Sequence, residues 1–160
     1  VMEYPQDEAA RNLDDEYFFG KDLLVCPLTL EDGTSREVYL PEGNWYNFFT
    51  GEKIEGGRRL VLEADWNEML VFARDGALVP VAEPVICVTE DTVFNITVKS
   101  FGTNKTGSCV LYEDDFVSFN YESLVAKKQI NVTVGDNGKF IVSGAKTSTK
   151  YHFLNCIVKD

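Results

Sequence analysis

The sequence predicts an all-β chain, two small antiparallel β-sandwich domains in tandem preceded by a short helical stretch. Three observations carry that prediction. Turn chemistry recurs at short intervals, in Glu31-Asp-Gly-Thr34, Pro41-Glu-Gly-Asn44, Thr50-Gly-Glu52, Glu55-Gly-Gly57 and Arg74-Asp-Gly76. The segments between these turns are strand-sized, rich in Val, Leu, Ile, Phe and Tyr, and several alternate with period two. Beyond Pro27 a helical period does not reappear.

Taken in order, Pro5-Gln-Asp-Glu-Ala-Ala-Arg-Asn12 carries helix formers after an acidic start, and Asp14-Asp-Glu-Tyr-Phe-Phe-Gly20 reads as one or two turns closed by glycine. Asp22-Leu-Leu-Val-Cys-Pro27 is a compact apolar run stopped by proline, as expected of a buried strand. Arg36–Leu40, Arg59–Glu63, Met69–Ala73 and Ala77–Val81 follow as strands. After Pro80 and Pro84 the pattern changes to cleaner alternation, which places a domain boundary near residue 83. Over Thr92–Lys99, Phe94, Ile96 and Val98 share one face while Asn95, Thr97 and Lys99 share the other. Gln129–Val134 splits the same way, and Asn137-Gly138 suits a tight hairpin turn into Lys139–Ser143. The run Tyr151–Val158 closes the second sheet system.

Composition narrows the function classes. The 160 residues hold 15 Lys and Arg against 26 Asp and Glu, a net charge of −11 with His152 neutral. Phosphate backbones and anionic lipid surfaces are bound by clustered cations, so neither a nucleic acid nor a membrane surface is expected as partner. No apolar run approaches the ~18 residues of a spanning helix. Hydrophobic residues at 44% supply a packed core. The opening Val1-Met-Glu-Tyr-Pro-Gln-Asp7 has no basic-then-apolar signal and reads as cut from something longer.

Sites of chemistry are scarce. Cys26, Cys87, Cys109 and Cys156 lack the close pairing of structural zinc sites; Cys26, Cys87 and Cys156 lie in apolar strand-like runs and read as buried free thiols rather than disulfides. His152 lies in a strand pattern with no glycine-framed serine elbow elsewhere, so a catalytic role is not expected of it. Gly56-Gly57-Arg-Arg59 lacks the helix and Lys–Ser/Thr pair of a phosphate loop and reads as a turn. Glu113-Asp114-Asp115 is contiguous, whereas a calcium loop alternates its ligands, and it reads as a polar strand end or turn. Trp45-Tyr46-Asn-Phe48-Phe49, with Trp66 and Tyr39, is either the core of a small domain or a sugar-stacking platform; adjacency favours the core, since neighbours alternate sides. Three sequons, at Asn95, Asn104 and Asn131, would permit glycosylation in a secretory pathway.

A family likeness runs through these same residues. Tyr17-Phe-Phe-Gly20, Asp22-Leu-Leu-Val-Cys-Pro27, Val38-Tyr-Leu-Pro41, Gly43-Asn-Trp-Tyr46, Thr50-Gly51, Gly56-Gly57 and Val71-Phe-Ala-Arg-Asp-Gly-Ala-Leu-Val-Pro80 resemble, in order and spacing, the C-terminal part of family-31 glycoside hydrolases. Leu111-Tyr-Glu-Asp-Asp115 is similar to a motif of their distal C-terminal domain. The resemblance implies that residues 1–21 are a remnant of the catalytic (β/α)₈ barrel, with 22–82 the proximal sandwich and 83–160 the distal one. It implies retaining hydrolysis of an α-glycosidic bond by a parent enzyme of α-glucosidase or α-xylosidase type, one aspartate as nucleophile and another as acid then base. Both would lie on barrel strands upstream, so no catalytic, substrate-binding, cofactor or metal residue is expected here. The implied partners are the catalytic barrel of the same polypeptide and, for the parent, an α-linked oligosaccharide. Cys26 stands where the family has alanine, and Phe116 where it has glycine, which questions the turn there.

Two other readings stay open from the sequence. One is a carbohydrate-binding module using Trp45, Tyr46 or the Glu113–Asp115 edge; the other is an interaction sandwich with no enzyme parent.

Overall fold

The computed structural model describes residues 3–29, 34–65, 67–89, 91–102, 106–112, 119, 127–134, 140–143 and 150–159. It is all-β, as the sequence predicts, with antiparallel pairing throughout the ladders whose register is defined. The strands are β1 (Tyr17–Phe19), β2 (Leu23–Cys26), β3 (Ser35–Leu40), β4 (Asn44–Asn47), β5 (Lys53–Glu55), β6 (Arg58–Glu63), β7 (Leu70–Arg74), β8 (Leu78–Ala82), β9 (Phe94–Phe101), β10 (Thr106–Tyr112), β11 (Lys127–Val134), β12 (Phe140–Ser143) and β13 (Tyr151–Lys159). Two compact units result, Val1–Asp75 with Lys159–Asp160, and Gly76–Val158.

In the first unit a five-stranded sheet, ordered β1-β2-β7-β4-β5, faces the β3-β6 pair. Leu24 and Cys26 of β2, Leu70 and Phe72 of β7, Trp45 of β4 and Val38 and Leu40 of β3 form the buried core, with Phe18, Ile54, Leu60 and Leu62 packed on it. Alternation explains the selection: along β6, Leu60 and Leu62 turn inward while Arg59, Val61 and Glu63 are exposed.

The expected helical stretch is corrected at Asp14–Gly20. Tyr17–Phe19 is a strand, with Tyr17 opposite Val25 and Phe19 opposite Leu23. Aromatic residues fit a pleated surface better than a helix, and Gly20, at φ 67, turns the chain into β2 rather than capping a helix. The helical content of the segment is one 3₁₀ turn, Ala9–Asn12, whose Ala9 and Ala10 amides donate to Asp7 Oδ1 at 3.0 and 3.3 Å.

In the second unit β9 is central, in the order β13-β9-β8, and β10-β11-β12 form a separate three-stranded sheet. Leu78, Ile96, Val98 and Cys156 make its core, with Phe94, Cys109, Leu111, Tyr151 and Phe153 around them. Phe94, Ile96 and Val98 thus point inward as alternation predicts. β8 belongs here, because it pairs with β9 from Leu78↔Ser100 to Ala82↔Ile96, so the units divide at 75/76 rather than near 83. Pro80 is tolerated within β8 because that strand is at a sheet edge. β11 and β12 pair as expected, Val134 opposite Phe140. The Asn137-Gly138 turn between them lies outside the described residues, as do Glu31-Asp-Gly33, Trp66, Asn104 and the acidic run Glu113–Asp115 with Phe116.

One strand-like run is not a strand. Val85-Ile-Cys-Val88 follows Pro84, which has no N–H for a ladder, and connects β8 to β9 with Val85, Ile86 and Val88 exposed.

Candidate functional site

The densest polar construction lies where residues 3–16 meet β3. Arg36, Val38 and Leu40 are in phase on β3, so the Arg36 side chain is carried to the core-facing side and is 5% exposed. A buried cation must be paired and hydrogen-bonded. Its Nη2 lies 2.8 Å from Asp15 Oδ2 and 3.6 Å from Glu16 Oε1, Nη1 donates to the Asp15 carbonyl at 3.0 Å and to the Pro27 carbonyl, and Nε donates to the Glu37 carbonyl at 3.2 Å. Glu16 Oε1 also accepts the Tyr39 amide at 2.7 Å, while Oε2 is buried with no partner among the described residues. Burial pushes the Glu16 carboxyl up, and the Tyr39 amide and the Arg36 guanidinium only partly offset it.

A second anchor is aromatic. Arg74, at the end of β7, places its guanidinium carbon 5.5, 5.3 and 6.0 Å from the rings of Tyr4, Phe18 and Trp45. Tyr4 stacks on Phe18 at 5.9 Å, and Phe18 meets Trp45 at 6.1 Å. Arg74 Nε and Nη2 are buried without hydrogen-bond partners among the described residues, so ring faces stand in for acceptors. Trp45 Nε1 donates to the Pro41 carbonyl at 2.8 Å.

Beside this anchor runs an open groove of about 890 Å³ between residues 3–7 and the turns at 42–43 and 55–57. Tyr4 and Tyr39 contribute rings, and Glu3, Asp7, Glu42 and Glu55 contribute carboxylates. The Tyr39 hydroxyl donates to Asp7 Oδ2 at 2.8 Å; burial of the ring and that bond push the phenol up to about 12. Such a lining can accept hydrogen bonds from hydroxyl groups. It does not gather three carboxylates around one point, and no group of three or more His, Cys, Asp or Glu able to hold a metal occurs among the described residues.

The sequence candidates fall as follows. Trp45 and Tyr46 are 1% and 2% exposed, so they are core and not a sugar platform. His152 is exposed on β13. Gly56-Gly57 is a turn, with both amides donating to carbonyls, Gly43 O at 2.8 Å and Leu40 O at 2.7 Å. None of the four cysteines is in a disulfide; Cys26 and Cys156 are buried, Cys109 is half-buried, and Cys87 is exposed, against the expectation of burial. Asn95 donates to Glu83 Oε2 at 2.7 Å, and Asn131 is exposed on β11. Arg36 was legible in principle, from its phase with Val38 and Leu40; nothing in the sequence brings Tyr4 and Phe18 to Arg74. Among the described residues no helix is long and apolar enough to cross a membrane.

Comparison with known proteins bears on this arrangement. The Glycosyl hydrolase family 31 C-terminal domain matches residues 1–79. A 1,6-alpha-glucosyltransferase of Sporosarcina globispora is 34% identical over 155 residues, 93% of this chain and 12% of its own length. Alpha-glucosidase 2 of Bacillus thermoamyloliquefaciens is 34% identical over 144 residues, 89% of this chain and 18% of its own. Among solved structures, a Flavobacterium johnsoniae dextranase of the same family, complexed with glucose, superposes with a TM-score of 0.75 at 31% identity, over 88% of this chain and 18% of that one. This chain therefore spans less than a fifth of the length of these relatives.

Proposed function

The chain belongs to glycosyl hydrolase family 31, to its C-terminal region, and from that premise we propose that it is the non-catalytic accessory part of a retaining α-glycosidase. The observation that carries the reading is the family match itself, which falls on the C-terminal domain. In this reading the first unit is the proximal sandwich and the second, beginning at Gly76, the distal one, while the catalytic aspartates reside in another part of the polypeptide. The parent acts on α-linked glucosides or xylosides, as the names of the relatives suggest.

The chemistry of the described acids supports it. A glycosidase needs a carboxyl of raised pKa facing a cleft, with a second carboxylate about 5–9.5 Å away. Glu16 is the described carboxyl with a raised value, and its side chain is 3% exposed, sealed against Arg36. The groove acids face solvent on one side of an open surface. The test is direct: the 160-residue polypeptide, assayed with aryl α-glucoside and α-xyloside, is expected to release no aglycone. Measurable turnover overturns the proposal.

A further inference from the structure

We propose that the connection between β8 and β9, over Val85–Val88, is a cleavage site for an endopeptidase with a small aliphatic specificity pocket, and that the two pieces stay folded together after the cut. The inference is independent of the accessory reading and stands if that reading fails. A peptidase cleft takes its substrate as an extended strand and pairs with its backbone, so a native chain is cut where a ladder is missing and the side chains are open to solvent. Every residue from Ala82 to Thr89 is exposed. Pro84 brings no N–H to a ladder, and among the described residues no hydrogen bond reaches Pro84, Val85, Ile86, Cys87 or Val88. The run is anchored on both sides: the Glu83 amide donates to the Asn95 carbonyl at 2.9 Å, and the Thr89 amide to Thr92 Oγ1 at 2.7 Å.

The side chains select the enzyme. Val85 and Val88 are 44% and 57% exposed and Ile86 fully so, and each can enter a pocket without leaving the core. Other exposed apolar side chains sit on paired backbone, Val61 in the β3–β6 ladder and Tyr17 and Phe19 in the β1–β2 ladder. No Lys or Arg occurs between Arg74 and Lys99, so a trypsin-type pocket with its buried carboxylate has nothing to bind, whereas the small apolar pocket of an elastase accepts valine. Water adds across one amide of the segment, leaving a carboxylate on the residue that filled the pocket and an ammonium on its successor. After the cut β8 keeps its ladder with β9, from Leu78↔Ser100 to Ala82↔Ile96, and Leu78 stays in the core with Ile96, Val98 and Cys156.

Brief digestion of the native 160-residue chain with pancreatic elastase tests this. The first cut, located by mass spectrometry, should fall between Val85 and Thr89, and the product should run as two pieces on a denaturing gel but elute from a size-exclusion column as the uncut chain does. Because the segment is already open in the native state, the cleavage rate should change by less than about twofold in urea below the unfolding transition, whereas a cut that waits on unfolding accelerates as stability falls. Val85→Glu, Ile86→Glu and Val88→Glu combined, all at exposed positions, should leave the urea midpoint in place and slow the cut by about tenfold or more, since a small apolar pocket rejects a carboxylate. A first cut outside this segment, a rate that climbs with urea, or undiminished cleavage of the triple variant overturns the site. Pieces that separate on the column overturn their association.

Discussion

Replacing Gly56 with alanine tests the tightest contact in the first unit. A Cβ at this position would overlap the Pro41 carbonyl oxygen and lie 2.9 Å from Cδ1 and Nε1 of Trp45. Neither neighbour can yield easily. The oxygen is backbone, and the indole is 1% exposed in the middle of the core. Forcing a methyl into a packed site costs about 1–3 kcal/mol. Displacing the indole also breaks its 2.8 Å bond to Pro41 and strands a buried donor, about 1–3 kcal/mol more. The expected loss is about 2–6 kcal/mol, against a total of roughly 4–11 kcal/mol for a unit of this size. Urea unfolding followed by indole fluorescence measures it, since Trp45 and Trp66 are the two indoles. Gly57→Ala is the control: its φ of +76 is unfavourable to alanine, costing about 1–2 kcal/mol, but the nearest atom to an added Cβ is Glu42 Cα at 3.9 Å. In a Trp45→Phe background the cost of Gly56→Ala should shrink, because the ring that it strikes is smaller. A Gly56→Ala variant losing less than Gly57→Ala would refute the argument.

Arg36→Met should destabilise the first unit by about 3–5 kcal/mol, since it leaves Glu16 buried without its cation, and adding Glu16→Gln should recover part of the loss in the same urea experiment. Because burial raises the Glu16 pKa above 4.5, the native state holds that proton more tightly than the unfolded chain; stability should fall as pH rises from about 4.5 through the native value. Glu16→Gln should flatten that part of the profile, measured as urea midpoints between about pH 4 and pH 7; an unchanged slope contradicts the assignment. Thiol labelling should proceed from Cys87, which is exposed, to Cys109, with Cys26 and Cys156 reacting only on unfolding. Burial raises both of those thiols, Cys156 to about 11, so mass spectrometry finding either modified first in the native chain would contradict their placement.

What was legible in the sequence depended on locality. Alternation along β9 and along β11 and the apolar run of β2 are each written in adjacent residues, so all three strands are legible, and on β9 the inward set Phe94, Ile96 and Val98 as well. Tyr17–Phe19 was misread because three aromatics before a glycine suit a helix end or a hairpin equally, and only pairing with β2 decides. Val85–Val88 was misread because an apolar run does not reveal whether a partner strand exists. β8 was placed on the wrong side of the boundary for the same reason, its ladder with β9 being a long-range choice.

The candidate site divides along the same line. The all-β class, the turn at Gly56-Gly57 and the family likeness are written in the sequence, because each rests on neighbours in the chain; burial of Trp45 and Tyr46 beside an exposed Phe49 is not. The pairing of Asp15 and Glu16 with a core-facing Arg36, the rings of Tyr4, Phe18 and Trp45 around Arg74, and the exposure of Tyr17 and Phe19 emerge from the folded arrangement alone. Those facts depend on which distant segments meet, and a charge or a ring carries no record in its own sequence window of what will neutralise or cover it.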